Sequence, residues 1–133
     1  MVCIYCGHKT SVTNSRSSAK STSTWRRRAC KSCRAIFTTH ELIDLESSLR
    51  VSTSSGALEP FLRDKLLISV FSSLSHRKTA LMDSKHLTDT LLTMVVDHSN
   101  RGVITSKEIH NIIYKTLNHF DSVSAIYYKA HHP

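Results

Sequence analysis

Acidic residues are missing from the first 40 positions. That stretch carries Lys9, Arg16, Lys20, Arg26, Arg27, Arg28, Lys31 and Arg34 and neither Asp nor Glu. The remaining ten Lys and Arg and all ten acids fall in residues 41–133, which sum to zero, so the formal charge of +8 belongs to the N-terminal segment. Such asymmetry points to a polyanion, normally nucleic acid, as the partner of the charged part. A long apolar run is missing too. Met1 to Cys6 leads straight into polar residues, which argues against a signal peptide or membrane span and for a cytoplasmic protein. No nucleophile stands at motif spacing from a base, so the expectation is a protein that is not an enzyme.

Cysteine is scarce, and its placement is informative. The four occur as Cys3-x2-Cys6 and Cys30-x2-Cys33 with 23 residues between the pairs. Each pair suits a tight knuckle that points two sulfurs inward, and two knuckles complete a tetrahedron around one metal ion. A reducing compartment disfavours disulfides. Two local disulfides, a redox pair, or iron held by the same sulfurs stay open as alternatives. His8 and His40 are read as bystanders or phosphate contacts, because four thiolates already close a structural site. The apolar residues here are few: Val2, Ile4, Tyr5, Val12, Trp25, Ile36 and Phe37. So thin a core cannot offset chain entropy without metal.

Between the knuckles, "TSVTNSR" and "STSTWRRRA" predict short strands of a zinc ribbon, joined by a polar turn or loop in "SRSSAKSTS". Strand alternation puts Arg26 and Arg28 on one face and Arg27 on the other. Four thiolates and one divalent ion would leave the ribbon near +6, enough to attract a phosphate backbone.

The first acids announce a change of unit. Residues 1–42 are read as the ribbon, 43–48 as a linker, and 49–133 as a second domain. Leu49 and Val51 open a strand, "TSSG" supplies a turn with Gly56 at positive φ, and Leu58 returns. Pro60 is expected in the first turn of a helix carrying Leu62, Leu66, Val70 and Leu74 to about Ser75, with the basic "HRK" at its C-terminal end. Asp83 or Ser84 is expected to cap a second helix, carrying Leu87, Leu91, Met94 and Val95 and ending near Arg101 and Gly102. Val103 and Ile104 form a short extended pair. Thr105 to Glu108 reads as a capping box ahead of a stripe of Ile109, Ile112, Ile113, Thr116, Leu117 and Phe120. Asp121 or Ser122 starts a last helix with Ile126 and Tyr127. The fold class is α+β: a small N-terminal β zinc ribbon, then a mostly α-helical domain with a short β-hairpin and about four helices.

Several stretches resemble the bacterial NrdR family: "CIYCGH" at 3–8, "NSR" at 14–16, "RRRACKSCRAIFTTHE" at 26–41, "EPFLRDKL" at 59–66 and "ITSKEIHNIIYKTL" at 104–117. The resemblance runs in order along nearly the whole chain. It implies a zinc ribbon joined to an ATP-cone, in a repressor of ribonucleotide reductase genes that binds paired promoter boxes and senses ATP and dATP. Carried over by position, it implies one zinc ion at Cys3, Cys6, Cys30 and Cys33. DNA contacts would come from Arg16, Arg26, Arg27, Arg28, Lys31 and Arg34. Nucleotide contacts would come from Glu59, Lys65, Ser106 and His110, with Arg77 adding charge. It further implies a homo-oligomer on double-stranded DNA, associated with the nucleoid, whose arrangement responds to adenine nucleotides. The alternative is a zinc-ribbon adaptor for nucleic acid or RNA polymerase with a degenerate cone.

The chain departs from the family pattern at instructive places. Thr53 stands where a phosphate-binding lysine is expected, "NSR" replaces the commoner "DSR", and "AIYYKAHHP" stops where relatives carry on. Nucleotide binding is therefore expected to be altered more than DNA binding.

Overall fold

The computed structural model describes residues 1–17 and 23–132, and the expected turn in "SRSSAKSTS" lies largely outside them. The chain divides into two compact units, Met1–Ile43 and Asp44–Pro133.

The first unit is an antiparallel sheet of β1 (Thr10–Ser17), β2 (Ser23–Cys30) and β3 (Ile36–Leu42), in that spatial order. The first two strands lie where the Ser/Thr-rich alternation predicts them. The third adds "IFTTHEL", in which half-buried Phe37 and Thr39 alternate with exposed Ile36, Thr38 and His40. A bulge at Thr13 lets Val12 face Arg28 and Asn14 face Arg27, and the Thr13 hydroxyl donates to the Arg27 carbonyl at 3.2 Å.

The second unit opens with a one-turn helix, α1 (Leu45–Ser48), capped by the Asp44 carboxylate. Next comes a three-stranded sheet in which β4 (Arg50–Ser52) pairs antiparallel with β5 (Leu58–Pro60) and parallel with β6 (Val103–Thr105). The expected hairpin is thus present and has gained the extended pair at 103–104 as a third strand. Parallel pairing joins residues about fifty positions apart and leaves no local signal. At the hairpin tip Gly56 takes φ +83° as expected. Thr53 closes the turn, its hydroxyl receiving the Ala57 N–H at 3.1 Å.

Three of the helix boundaries differ from expectation. Pro60 ends the edge strand β5, where a missing N–H is harmless, and α2 (Arg63–Ser73) starts only after Leu62. The basic "HRK" therefore follows that helix instead of ending it. Helix α3 (Ala80–His98) begins before Asp83 and Ser84, with Thr79 at its N-cap. Asp83 sits in the first turn, where its carboxylate accepts from Thr79 and Arg77, and Ser84 is buried. That helix also stops at His98. Arg101 and Gly102 then turn the chain with φ +50° and +76°, and a Cβ at Gly102 would lie 3.0 Å from the Ser48 carbonyl.

Helix α4 (Ser106–Phe120) starts at the predicted capping box: Glu108 N–H donates to the Thr105 hydroxyl, and the Glu108 carboxylate accepts from Thr105 N–H. Helix α5 (Ser122–His131) is capped by Asp121. Ile126 and Tyr127 face outward; Ala125 and Tyr128, on the other side of the helix, enter the core. That core gathers Leu49, Phe61, Leu66, Val70, Leu74, Leu91, Val95, Ile104, Ile113 and Leu117.

One polar clasp ties the α2–α3 connection to the start of α5. Arg77 Nε lies 2.9 Å from Asp83 Oδ2, while Arg77 Nη1 and His76 Nε2 reach Asp121 Oδ2 at 3.4 and 2.9 Å. Ser124 and the Val123 N–H also donate to Asp121. Burial opposes ionisation of Asp121, but the bonds from His76, Ser124 and Val123 outweigh it and hold its pKa at about 2. A carboxyl depressed in the folded state contributes stability that is complete above its unfolded pKa, near 4, and is lost as pH falls through the folded value. Asp121→Asn is therefore expected to lower the urea midpoint at pH 6, read by far-UV circular dichroism. The gap to the parent should shrink steadily between pH 5 and pH 2.5.

Candidate functional site

The knuckles are built alike. In the first, Cys3 N–H donates to the His8 carbonyl at 2.8 Å and Gly7 N–H to the Cys3 carbonyl at 2.9 Å. In the second, Cys30 N–H donates to Ala35 and Arg34 N–H to Cys30, both at 3.0 Å. The residue after each second cysteine turns through positive φ, +73° at Gly7 and +61° at Arg34. Glycine takes that conformation freely, whereas Arg34 holds it at some cost.

The two knuckles bring all four sulfurs within 4.8 Å of one another, with Cys3 to Cys33 at 3.6 Å and Cys6 to Cys30 at 3.5 Å. These are free thiols, and the separations far exceed a disulfide bond of about 2.05 Å. A zinc tetrahedron with bonds of about 2.3 Å needs sulfurs roughly 3.8 Å apart, so the donor set fits zinc in both chemistry and spacing. The Cys33 N–H, bonded to the Cys30 sulfur, works with the Ser32 N–H against burial to bring the Cys30 thiol down to about 6. At Cys33 the Ala35 N–H lowers the pKa, but the Cys6 sulfur, burial and the remaining thiols push it up to about 12. Four crowded sulfurs cannot all ionise alone, and a divalent cation removes that conflict. Neither His8 nor His40 joins the cluster.

Cross-strand register sorts the basic residues. Arg16 pairs with Trp25, Asn14 with Arg27, Trp25 with His40 and Arg27 with Thr38, so all six share one face. There the Arg16 guanidinium lies 5.9 Å from the Trp25 ring centroid, and Arg27 is exposed. Arg26 and Arg28 share the other face, as alternation predicts. Two nitrogens of Arg26 bond Glu41 Oε2 at 2.8 and 3.0 Å, and Arg28 Nε donates to Thr39 at 3.2 Å. Glu41 corrects the expected charge near +6. It lies one residue past the acid-free stretch but in the same unit, so residues 1–43 carry eight cations against one acid, +7, or +5 once four thiolates and a divalent ion are counted. Lys31 and Arg34 sit exposed in the second knuckle.

In the second unit a cavity of about 530 Å³ opens among β5, α2, α4 and α5. Glu59, Lys65, Ser106 and His110, far apart in sequence, all line it. Arg77 does not. The clasp with Asp83 and Asp121 holds it elsewhere, with its guanidinium 4.9 Å from the Phe120 ring centroid. Thr53 is not among the lining residues either. Sequence reasoning missed Tyr128, His131, His132 and Ser69, which complete the wall. His132 Nε2 is 2.8 Å from the Ser69 hydroxyl, and its ring lies 4.5 Å from Tyr128 and 5.4 Å from His110. The only signal available was the spacing of 128, 131 and 132, which share one helical face.

Residues 1–41 match the family described as "Transcriptional repressor NrdR-like, N-terminal domain". Over a longer span the chain is similar to curated proteins named transcriptional repressor NrdR. With that of Alkaliphilus oremlandii it shares 33% identity over 127 residues, 95% of this chain and 81% of the relative. With that of Neorickettsia sennetsu it shares 35% over 130 residues, covering 95% and 84%. With that of Psychrobacter cryohalolentis it shares 32% over 127 residues, covering 95% and 82%.

The sulfur cluster makes the first unit dependent on its ion. Cys30→Ser is expected to abolish stoichiometric zinc and unfold residues 1–43, seen as a red shift of Trp25 emission, while the helical signal of the second unit persists. An unshifted emission with zinc still bound at one per chain would contradict the tetrathiolate assignment.

Proposed function

Because this chain belongs to the NrdR family of transcriptional repressors, we propose that it is a zinc-dependent DNA-binding repressor of ribonucleotide reductase genes whose ATP-cone responds to ATP and dATP through its oligomeric arrangement. The reading rests on one observation above all: a four-sulfur cluster pins a small unit whose charged residues are eight cations and one acid. The relatives are named as transcriptional repressors, a role that calls for no catalysis. No helix among the described residues is long and apolar enough to cross a membrane.

The ribbon at about +5 would gain affinity for duplex DNA by counterion release, with a linear dependence on log salt. Arg16, Trp25 and Arg27 supply the better-exposed face. Arg26 reaches phosphate only by leaving Glu41, an exposed pair whose loss costs little. Lys31 and Arg34 extend the basic surface along the knuckle. A single ribbon covers few base pairs, so firm operator binding calls for at least two copies spaced by whole helical turns. The nucleotide part of the reading is supported by the cavity and its convergence of Lys65 with Ser106 at the start of the 15-residue α4, where anions are favoured. A nucleotide that binds one assembly better than another shifts the population between them.

Binding of a promoter fragment across a salt series tests the DNA reading. Arg27→Ala is expected to weaken binding and flatten the log–log salt slope by about 0.9 for each phosphate that is no longer neutralised, with a smaller effect for Arg26→Ala. An unchanged slope in both would mean that neither arginine meets the DNA backbone. Calorimetry with ATP and dATP tests the cone: measurable binding is expected, reduced at least tenfold in Lys65→Ala. No binding of either nucleotide would favour the adaptor reading with a degenerate cone.

A further inference from the structure

We propose, resting on the nucleotide reading of the cavity, that His131 and His132 join His110 and Lys65 as the phosphate-binding wall, and that these imidazoles charge by taking up protons as the polyphosphate enters.

Fixed charge is scarce around the cavity. The groups facing it are Glu59 from β5, Lys65 from α2, His110 from α4, Tyr128 and His131 from α5, and His132 at the C-cap of α5. Among them one permanent cation meets one acid, and the rest is imidazole and phenol. Arg77 adds nothing here, since it is committed to Asp83 and Asp121 and stands outside the lining. A triphosphate carries several negative charges near neutral pH. Lys65 alone cannot match them, so the balance falls to the three histidines.

Their geometry suits titration. His132 is half-buried against Tyr128, with His110 at 5.4 Å and its Nε2 on the Ser69 hydroxyl. Burial, then the nearby His110, His131 and Lys65, disfavour its charged form and lower its pKa in the free protein. An anion within about 4 to 6 Å acts in the opposite sense, restoring and stabilising the imidazolium. Histidine titrates near 6.5 when unperturbed, so the change falls within the physiological range. Ligand binding thus raises the pKa, so affinity is greatest below the free-state value and declines as pH rises through the bound-state value, by about tenfold per pH unit for each proton taken up.

The test is calorimetry of the zinc-loaded full chain with ATP at pH 6, 7 and 8, each in two buffers of different ionisation heat. The terminal phosphate of ATP titrates near pH 6, so the parent is compared with His132→Gln and with the exposed-site variant His131→Gln. The expected result is net proton uptake at pH 7 and several-fold tighter binding at pH 6 than at pH 8, both diminished in the variants. ATP binding with buffer-independent heat and unchanged affinity would overturn the proton coupling and leave the nucleotide reading standing. Coupling that survives intact in both variants would overturn the assignment to these histidines. Absence of ATP binding even at pH 6 would overturn both readings together.

Discussion

Four sulfurs converging on one point organise the N-terminal unit, and little else could. Among its described residues only Cys3 and Cys30 are buried, so the unit has no apolar centre of its own. Its strands are tied by backbone ladders and by the two knuckles that launch them. A three-stranded sheet without a buried apolar face is marginal in water. The free energy of metal binding is here the free energy of folding. The same arrangement leaves the other described side chains exposed or half-buried, which is how a segment of about forty residues displays so many cations at once.

Alternation along β2 then divides those cations into two populations with different physics. On one face, Arg27 stands exposed between Asn14 and Thr38 with no acid opposite, and Arg16 leans on the Trp25 ring. On the other, Glu41 meets Arg26 across the sheet at the surface, where an ion pair contributes at most about 1 kcal/mol. Such a pair can be broken by a phosphate at low cost, yet in the free protein it orients the guanidinium and holds down the local charge. Glu41 is informative because it sits one residue beyond the acid-free stretch yet inside β3, so a charge counted over that stretch alone overstates the charge of the folded unit.

Legibility along the chain followed the range of the interactions. The cysteine spacing, the capping box at Thr105 and Glu108, and the Gly56 turn are local, each decided within a few residues, and each could be read. The aliphatic stripes of α2, α3 and α4 repeat often enough to declare themselves. The misses were non-local or energetic near-ties. Pairing of β6 with β4 depends on a crossover of two helices. Pro60 suits a helix start and an edge strand equally well, and the edge strand prevailed. In α5, Ile126 and Tyr127 are more apolar in name than Ala125, but the rotation that seats Tyr128 in the core turns them outward. Arg77 carries charge near the right part of the sequence and is spent on Asp83 and Asp121, a commitment that only the tertiary arrangement reveals.

That commitment also shapes the cavity. Asp121 ends α4 and caps α5, so the clasp that holds it determines where α5 begins and how it is rotated. Seven residues on from the cap, two helical turns, Tyr128 meets the core, and one turn further His131 and His132 arrive at the cavity wall. The carboxylate that holds Arg77 is thus also the group that caps the helix on which the imidazoles arrive. The wall holds one fixed cation, Lys65, against one acid, Glu59, which limits the cost of unpaired cations in a partly dehydrated space.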